Sequence, residues 1–189
     1  MRKFILASLA IMSTSAFAAN EMYVLGGVGI NEDDTGAQFT VGSQILDTNF
    51  YLESTMNYID SDSSDVISDV NGDLTKYKGD YQHFKMSLAP MYKYSFDDSF
   101  AIYGKVGLAY SNFNSKSTWT NADESDTHKY SDSKWGAIYG IGAEFKSAQP
   151  MFGNSKFMAR VGFDWYDFSS GSMNLGSDAT LGLQAGFTF

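Results

Sequence analysis

The sequence predicts an all-β protein, an eight-stranded antiparallel up-and-down β-barrel whose apolar side faces a membrane. Three observations carry that prediction. Apolar and polar residues alternate with period two in one segment after another, as half-buried strands require. Glycines gather on the polar side of those segments, where a narrow barrel interior must mix small residues with large ones. The final stretch, after Ala179, sets Leu181, Leu183, Ala185, Phe187 and Phe189 against Thr180, Gly182, Gln184, Gly186 and Thr188, and stops on an aromatic.

The first strand is expected over Met22 to Ile30, with Met22, Val24, Val28 and Ile30 on the apolar face. Gly36 to Ile45 follows, with Ala37, Phe39, Val41 and Ile45 opposed to Gln38, Thr40, Gly42 and Gln44. Asn49 to Ile59 sets Phe50, Leu52, Met56 and Tyr58 against Tyr51, Glu53, Thr55 and Asn57. Tyr81 to Tyr94 carries Phe84, Met86, Leu88, Tyr92 and Tyr94 opposite His83, Lys85, Ser87, Ala89 and Lys93. In Ser99 to Asn112, the apolar set is Phe100, Ile102, Val106, Leu108 and Tyr110. Lys134 to Lys146 turns Trp135, Tyr139, Ile141 and Phe145 away from Gly136, Gly140, Gly142 and Glu144. Ser155 to Phe168 opposes Phe157, Val161, Phe163 and Trp165 to Arg160, Gly162, Asp164 and Tyr166, and the terminal segment is the eighth. An even count returns both chain termini to the same side of the barrel.

Connections alternate in length. Asp47-Thr48 and Phe96-Asp97-Asp98 read as tight turns, whereas Asp60 to Asp80 and Phe113 to Ser133 read as long polar loops, the asymmetry of periplasmic turns and outer loops. Ile30 to Gly36 is short for an outer loop, and Ser147 to Asn154 is long for an inner turn. A soluble barrel with an apolar cavity shows the same alternation. Aromatics near strand ends favour the membrane form, at Tyr92, Tyr94, Phe100, Phe187 and Phe189 toward one rim and Tyr58, Tyr110, Trp135 and Trp165 toward the other, because rings favour the head-group level.

The N-terminus supports export. Arg2 and Lys3 precede an apolar run from Phe4 to Met12, too short to span a bilayer, and Ala16-Phe17-Ala18 is a small-residue cleavage pattern. Residues 1–18 are thus expected to be a cleaved signal peptide and 19–189 a single barrel domain. Losing two positive charges takes the formal charge from −9 to −11. So acidic a chain offers no basic surface for nucleic acid. Cysteine is absent, so strand hydrogen bonds and packing must supply the stability. Mean hydropathy is slightly negative, as expected when only alternate residues of a strand meet lipid.

If the polar face turns inward, Glu53, Lys85, Lys93, Lys105, Glu144, Arg160 and Asp164 share a narrow lumen. Their mixed signs allow pairing, which avoids the cost of an unpaired buried charge. Glu53 is expected to meet Arg160, and Glu144 one of the lysines, filling the axis rather than lining a pore. Should the second hairpin pair so that residue numbers sum to 95, Gly42 would face Glu53 and leave room for it.

Leu88-Ala89-Pro90-Met91-Tyr92, Ile102 to Tyr110, Tyr139-Gly140-Ile141-Gly142-Ala143-Glu144-Phe145 and Gly182 to Phe189 together resemble the small eight-stranded outer-membrane family of OmpX and Ail/Lom proteins, with the OmpA transmembrane domain and opacity proteins as wider relatives. The ending Ala185-Gly186-Phe187-Thr188-Phe189 departs from the Gly-x-Gly-Tyr-basic-Phe ending that this family tends to carry. The resemblance implies a Gram-negative surface barrel, monomeric and without cofactor, whose outer loops contact host cells, serum proteins or envelope components. Phe187 and Phe189 would then form the signal read by barrel-assembly machinery. Lipid and lipopolysaccharide would surround it.

Loop chemistry is sparse. The segment from Asp60 to Asp80 is acidic, including Asp65 and Asp69, but a calcium-loop frame on Gly72 puts Ile67 and Lys78 where carboxylates are needed, so no metal site is expected. Trp119 and Tyr130, with Asp65 and Asp69, are the candidates for protein contact. The alternatives are a lipid A-modifying barrel enzyme and a small-ligand channel. Serine chemistry on outer-leaflet lipid needs a Ser–His pair. Neither His83 nor His128 is expected beside a serine on the lipid-facing wall.

Overall fold

The computed structural model describes residues 21–31, 34–68, 74–120, 125–168 and 177–189. The leader expected over residues 1–18 and the loop acid Asp69 lie outside them. Among the described residues eight strands occur: β1 (Met22–Asn31), β2 (Asp34–Gln44), β3 (Phe50–Ser68), β4 (Leu74–Ser95), β5 (Phe100–Thr120), β6 (Ser125–Lys146), β7 (Lys156–Asp167) and β8 (Ser177–Thr188). Each pairs antiparallel with its neighbours in sequence, and β8 closes on β1. The outer-membrane barrel architecture expected from the alternation is the one observed.

Which face turns inward is plain from exposure. Lys85 is 0% exposed and Glu53 2%, whereas Leu108 and Trp135 are each 66% exposed. A soluble protein would invert that pattern, so the apolar face is the lipid-facing wall. Outward aromatics pair into belts at its two margins: Phe50 with Tyr92 at 5.1 Å and Phe100 with Phe145 at 5.2 Å near the termini, and Tyr110 with Trp135 at 5.2 Å near the opposite rim.

Short turns sit at the end carrying the termini. At the β2–β3 turn Leu46 takes a φ of 46°, and Thr48 Oγ1 donates to the Ile45 carbonyl at 2.5 Å. At β4–β5, Asp97 Oδ1 accepts from the backbone N–H groups of Ser99 and Phe100 at 2.7 and 2.8 Å. The long inner connection after Ser147 is ordered by its own small bridge, Phe152 to Ser155. Between the bridged residues the chain turns through a left-handed Gly153 with a φ of 57°. Phe152 from this turn packs on the outward ring of Phe187 at 5.8 Å, and Phe189 pairs its backbone with Met22, sealing the seam. Pro90 leaves one gap in the wall. The β4–β5 ladder skips from Leu88↔Leu108 to Met91↔Lys105, because Pro90 has no N–H to give β5.

One expectation is corrected. Asp60 to Asp80 and Phe113 to Ser133 were expected as long loops, yet most of both is strand: β3 pairs with β4 without interruption to Ser68↔Leu74, and β5 with β6 to Thr120↔Ser125. Serine, threonine and tyrosine sustain a hydrogen-bonded ladder in water without an apolar face, so the loss of amphipathic alternation marks the membrane surface and not the strand end. The partners on either side stop lower. β2 leaves β3 at Ala37↔Tyr58, and β7 leaves β6 at Ala137↔Asp167. β3 to β6 therefore project as a curved four-stranded sheet beyond the aromatic belt.

Candidate functional site

The barrel interior is organised by ionic contacts. From the end carrying the termini, Lys146 meets Glu21 at 2.6 Å, Glu21 meets Lys93 at 3.6 Å, and Lys93 meets Glu144 at 2.5 Å. Glu144 then meets Arg160 at 2.9 Å, Arg160 meets Glu53, Glu53 meets Lys105 at 2.7 Å, and Lys105 meets Asp164 at 3.0 Å. Signs alternate at every step, so this eight-membered chain of charges is neutral and each ion has an opposite neighbour. In a dry interior that arrangement offsets desolvation, which would otherwise exceed any single pair's attraction.

Tyrosines fill the spaces between charges. Tyr23 donates its phenolic O–H to Glu53 Oε2 at 2.6 Å. The Arg160 guanidinium lies 4.6 Å from the centres of both the Tyr23 and Tyr103 rings, and Lys93 Nζ lies 4.1 Å above Tyr51. Gly42 does stand opposite Glu53 in the β2–β3 register. The space above it is occupied by the phenol of Tyr23, not by the carboxylate: a Cβ at Gly42 would collide with that ring. The glycine thus serves Glu53 indirectly, by admitting the hydroxyl that binds it.

Nearer the outer mouth, Lys85 donates to Asp178 Oδ2 at 2.8 Å and to Thr180 Oγ1 at 3.0 Å, over the ring of Tyr166. The seven interior charges expected from the sequence are all in the lumen, but as two groups: Lys85 stands apart from the other six. Sequence reading missed Glu21, Lys146 and Asp178. Glu21 and Asp178 continue the inward parity of their strands one and two residues past the ends assigned from apolar alternation, and Lys146 is the last residue of its expected strand, two beyond Glu144 on the same face. It also missed the buried apolar side chains of Tyr23, Leu25, Met91, Ile138 and Met158, which make the interior more than a polar core.

Above Lys85 the lumen widens into a vestibule of about 450 Å³, lined by Tyr77, Tyr81, His83, Phe113, Phe168 and Asp178 among others. His83 Nε2 is 2.8 Å from Ser111 Oγ, a serine–histidine contact on the inward face that sequence reading did not anticipate. The loop candidates lie on the projecting sheet. Trp119 packs on Tyr77 with ring centres 4.6 Å apart, and Tyr130 on Phe113 at 6.3 Å, while Asp65 caps the N–H of Val66 at 2.8 Å. His128, expected in a loop, is exposed on β6, 3.1 Å from Asp126.

A family model described as an outer membrane protein beta-barrel domain matches residues 4–189. Comparison with curated proteins gives no match. Among solved structures, OprG from Pseudomonas aeruginosa is similar with a TM-score of 0.56 at 13% identity, covering 90% of this chain and 96% of that one. Ail of Yersinia pestis, solved with the heparin analogue sucrose octasulfate, gives 0.53 at 13%, covering 91% and 100%. The N-terminal β-barrel domain of Pseudomonas aeruginosa OprF gives 0.52 at 18%, covering 90% and 98%. At such identities the likeness concerns fold alone.

Proposed function

This chain belongs to the outer membrane protein beta-barrel domain family, and we propose that it is a non-enzymatic surface barrel of the Gram-negative outer membrane, closed along its axis, that engages proteins through its projecting strands. The observation that carries this reading is the height of β3 to β6 above their neighbours. Beyond Tyr58 on β3 and before Ala137 on β6, no described strand pairs with the sheet. Ile45 N–H donates to the Phe50 carbonyl and Ser147 N–H to that of Phe157. By alternation, the even residues of β3, Asp60, Asp62 and Ser64, and the odd residues of β6, Lys129, Ser131 and Ser133, turn their N–H and C=O groups to the open edges. Such edges accept an added strand from another chain. The aromatic candidates Trp119 and Tyr130 then shape the sheet, since their rings pack on neighbours.

Asp62→Pro with Ser131→Pro removes one donor from each edge while leaving the ladders to β4 and β5 intact. Cells displaying this variant are expected to lose adhesion to serum-protein-coated surfaces by about tenfold, the equivalent of one to two hydrogen bonds. Adhesion undiminished by both prolines, in a barrel that still folds, rejects strand addition.

The alternating chain of charges supports a plugged lumen. Both the natural protein and Lys105→Ala are expected to give negligible or irregular conductance in planar bilayers, because Arg160 still bridges Glu53 and Glu144. Large stable channels from the unmutated barrel contradict the plug. The His83–Ser111 contact is a poor hydrolase. Ser111 sits within two regular ladders, so neighbouring N–H groups are committed to strand pairing and cannot form an oxyanion site.

A further inference from the structure

The lumen of this barrel sets its cations on aromatic rings. Lys85 Nζ lies 4.7 Å from the centre of the Tyr166 ring, Lys93 Nζ 4.1 Å from that of Tyr51, and the Arg160 guanidinium 4.6 Å from those of Tyr23 and Tyr103. An aromatic face attracts a cation in this way, and more strongly out of water. Above Lys85 the rings continue and the cations stop. Tyr77, Tyr81, Phe113 and Phe168 line the vestibule, and no Lys or Arg among the described residues stands over any of them.

The charge balance changes at the same level. Lys85 meets Asp178 at 2.8 Å, and Lys134 meets Asp132 at 3.8 Å. Asp34 and Asp65 share the inward parity, Asp34 opposite Asn31 and Asp65 opposite Tyr77. Neither lies within ion-pair distance of a cation among the described residues. Asp34 accepts from the Tyr81 hydroxyl instead, which brings a carboxylate against the ring wall.

We propose that the vestibule binds a small quaternary ammonium, a trimethylammonium group on a short polar chain. Its volume of about 450 Å³ is that of a small-ligand site. The rings on the β4–β5 wall favour both the methyl groups and the charge they carry, while Asp34 and Asp65 supply the opposite sign with no protein cation to compete. A quaternary nitrogen has no N–H, so it demands no acceptor from the lining, where Asp34 Oδ2 and Asp178 Oδ2 already accept from Tyr81 and Lys85. A primary ammonium brings three donors, and each one left unpaired against a ring costs free energy. Asn31, Ser63 and Ser115 on the remaining lining suit the polar chain of such a ligand. The ionic chain underneath closes the axis, so the ligand is held rather than passed.

The test titrates folded barrel with choline by calorimetry in a polyoxyethylene detergent, which carries no ammonium group. Saturable binding is expected for the natural protein. The neutral carbon isostere of choline, with a tert-butyl group in place of trimethylammonium, is expected to bind about tenfold more weakly, and ethanolamine likewise. Tyr81→Leu with Phe113→Leu should weaken choline about tenfold, the sum of two cation–ring contacts. Tyr81→Phe keeps the ring and should stay within about threefold of the natural affinity. Asp34→Asn should weaken binding about threefold, and less in high salt. Heat-modifiable gel mobility verifies that each variant is folded, and the comparison ligands need no variant. Absence of saturable choline binding overturns the proposal, as does undiminished binding by the double-leucine variant. Equal affinity for the neutral isostere, the mark of a pocket indifferent to charge, overturns it too, and equal affinity for ethanolamine overturns the quaternary assignment. Free choline and phosphocholine head groups both carry trimethylammonium: displacement by glycerophosphocholine at equal concentration assigns the site to head groups, and failure of that displacement assigns it to the free cation.

Discussion

Glu53→Gln is expected to destabilise the barrel by about 3 kcal/mol, the cost of breaking a buried ionic cluster by removing one partner. The substitution keeps volume and shape, so packing is not the cause. Glu53 accepts from Tyr23, Lys105 and Arg160; an amide neutralises the site and leaves two cations facing it. Lys105 retains Asp164 and Arg160 retains Glu144, which holds the loss below that of an isolated pair. Urea titration of the barrel in phospholipid micelles, followed by tryptophan fluorescence, measures the change. Adding Arg160→Met should recover part of it, since the second substitution removes the stranded cation while Lys93 still pairs Glu144. A single-mutant effect under about 1 kcal/mol, within the range of an exposed pair, would mean that the interior is wet enough to screen these charges.

Gly186→Val should prevent closure of the β1–β8 seam. Gly186 stands opposite Leu25 in that register, and a Cβ there would collide with the backbone carbonyl of Val24 and crowd the Cα of Leu25. A backbone in a closed ladder cannot rotate aside as a long side chain does, so the two strands must separate. In vitro folding into lipid, read as the fraction of heat-modifiable barrel on a gel, is expected to fall to near zero. Gly26→Ala is the matched control on the same seam, because nothing lies within 4 Å of its added Cβ. Efficient folding of the valine variant would show that the seam tolerates strand separation.

Much of this molecule was legible in the sequence, for reasons particular to barrels. A period-two pattern places every second residue on one wall, so Glu53, Lys105, Glu144 and Arg160 could be assigned to the lumen from parity. The hairpin register of Gly42 with Glu53 followed from a short turn at Asp47-Thr48. Partners across the lumen were less legible, since strand stagger decides which levels meet. Glu53 meets Arg160 and Glu144 meets a lysine as expected, but which lysine, and the branch from Glu53 to Lys105, were not readable. Residues such as Glu21 and Asp178 escaped notice because alternation was followed only as far as apolar residues marked it.

The upper halves of β3 to β6 escaped for a different reason. In the membrane, lipid forces alternate residues to be apolar, and that periodicity reports the strand. In water no such force acts on the outward face, and Asp62, Lys116 and Lys129 read as loop although their backbones continue the ladder.

By itself, the sequence determined the strand count within the membrane, the inward and outward faces, and the charge types in the lumen, because each depends on side-chain chemistry at alternate positions along one strand. Only the tertiary structure decided how far the outer sheet projects, how the lumen charges link into one chain beyond the expected pairs, and that Lys116 meets Lys129. Those facts depend on register and closure between strands distant in sequence, which no single strand's pattern encodes.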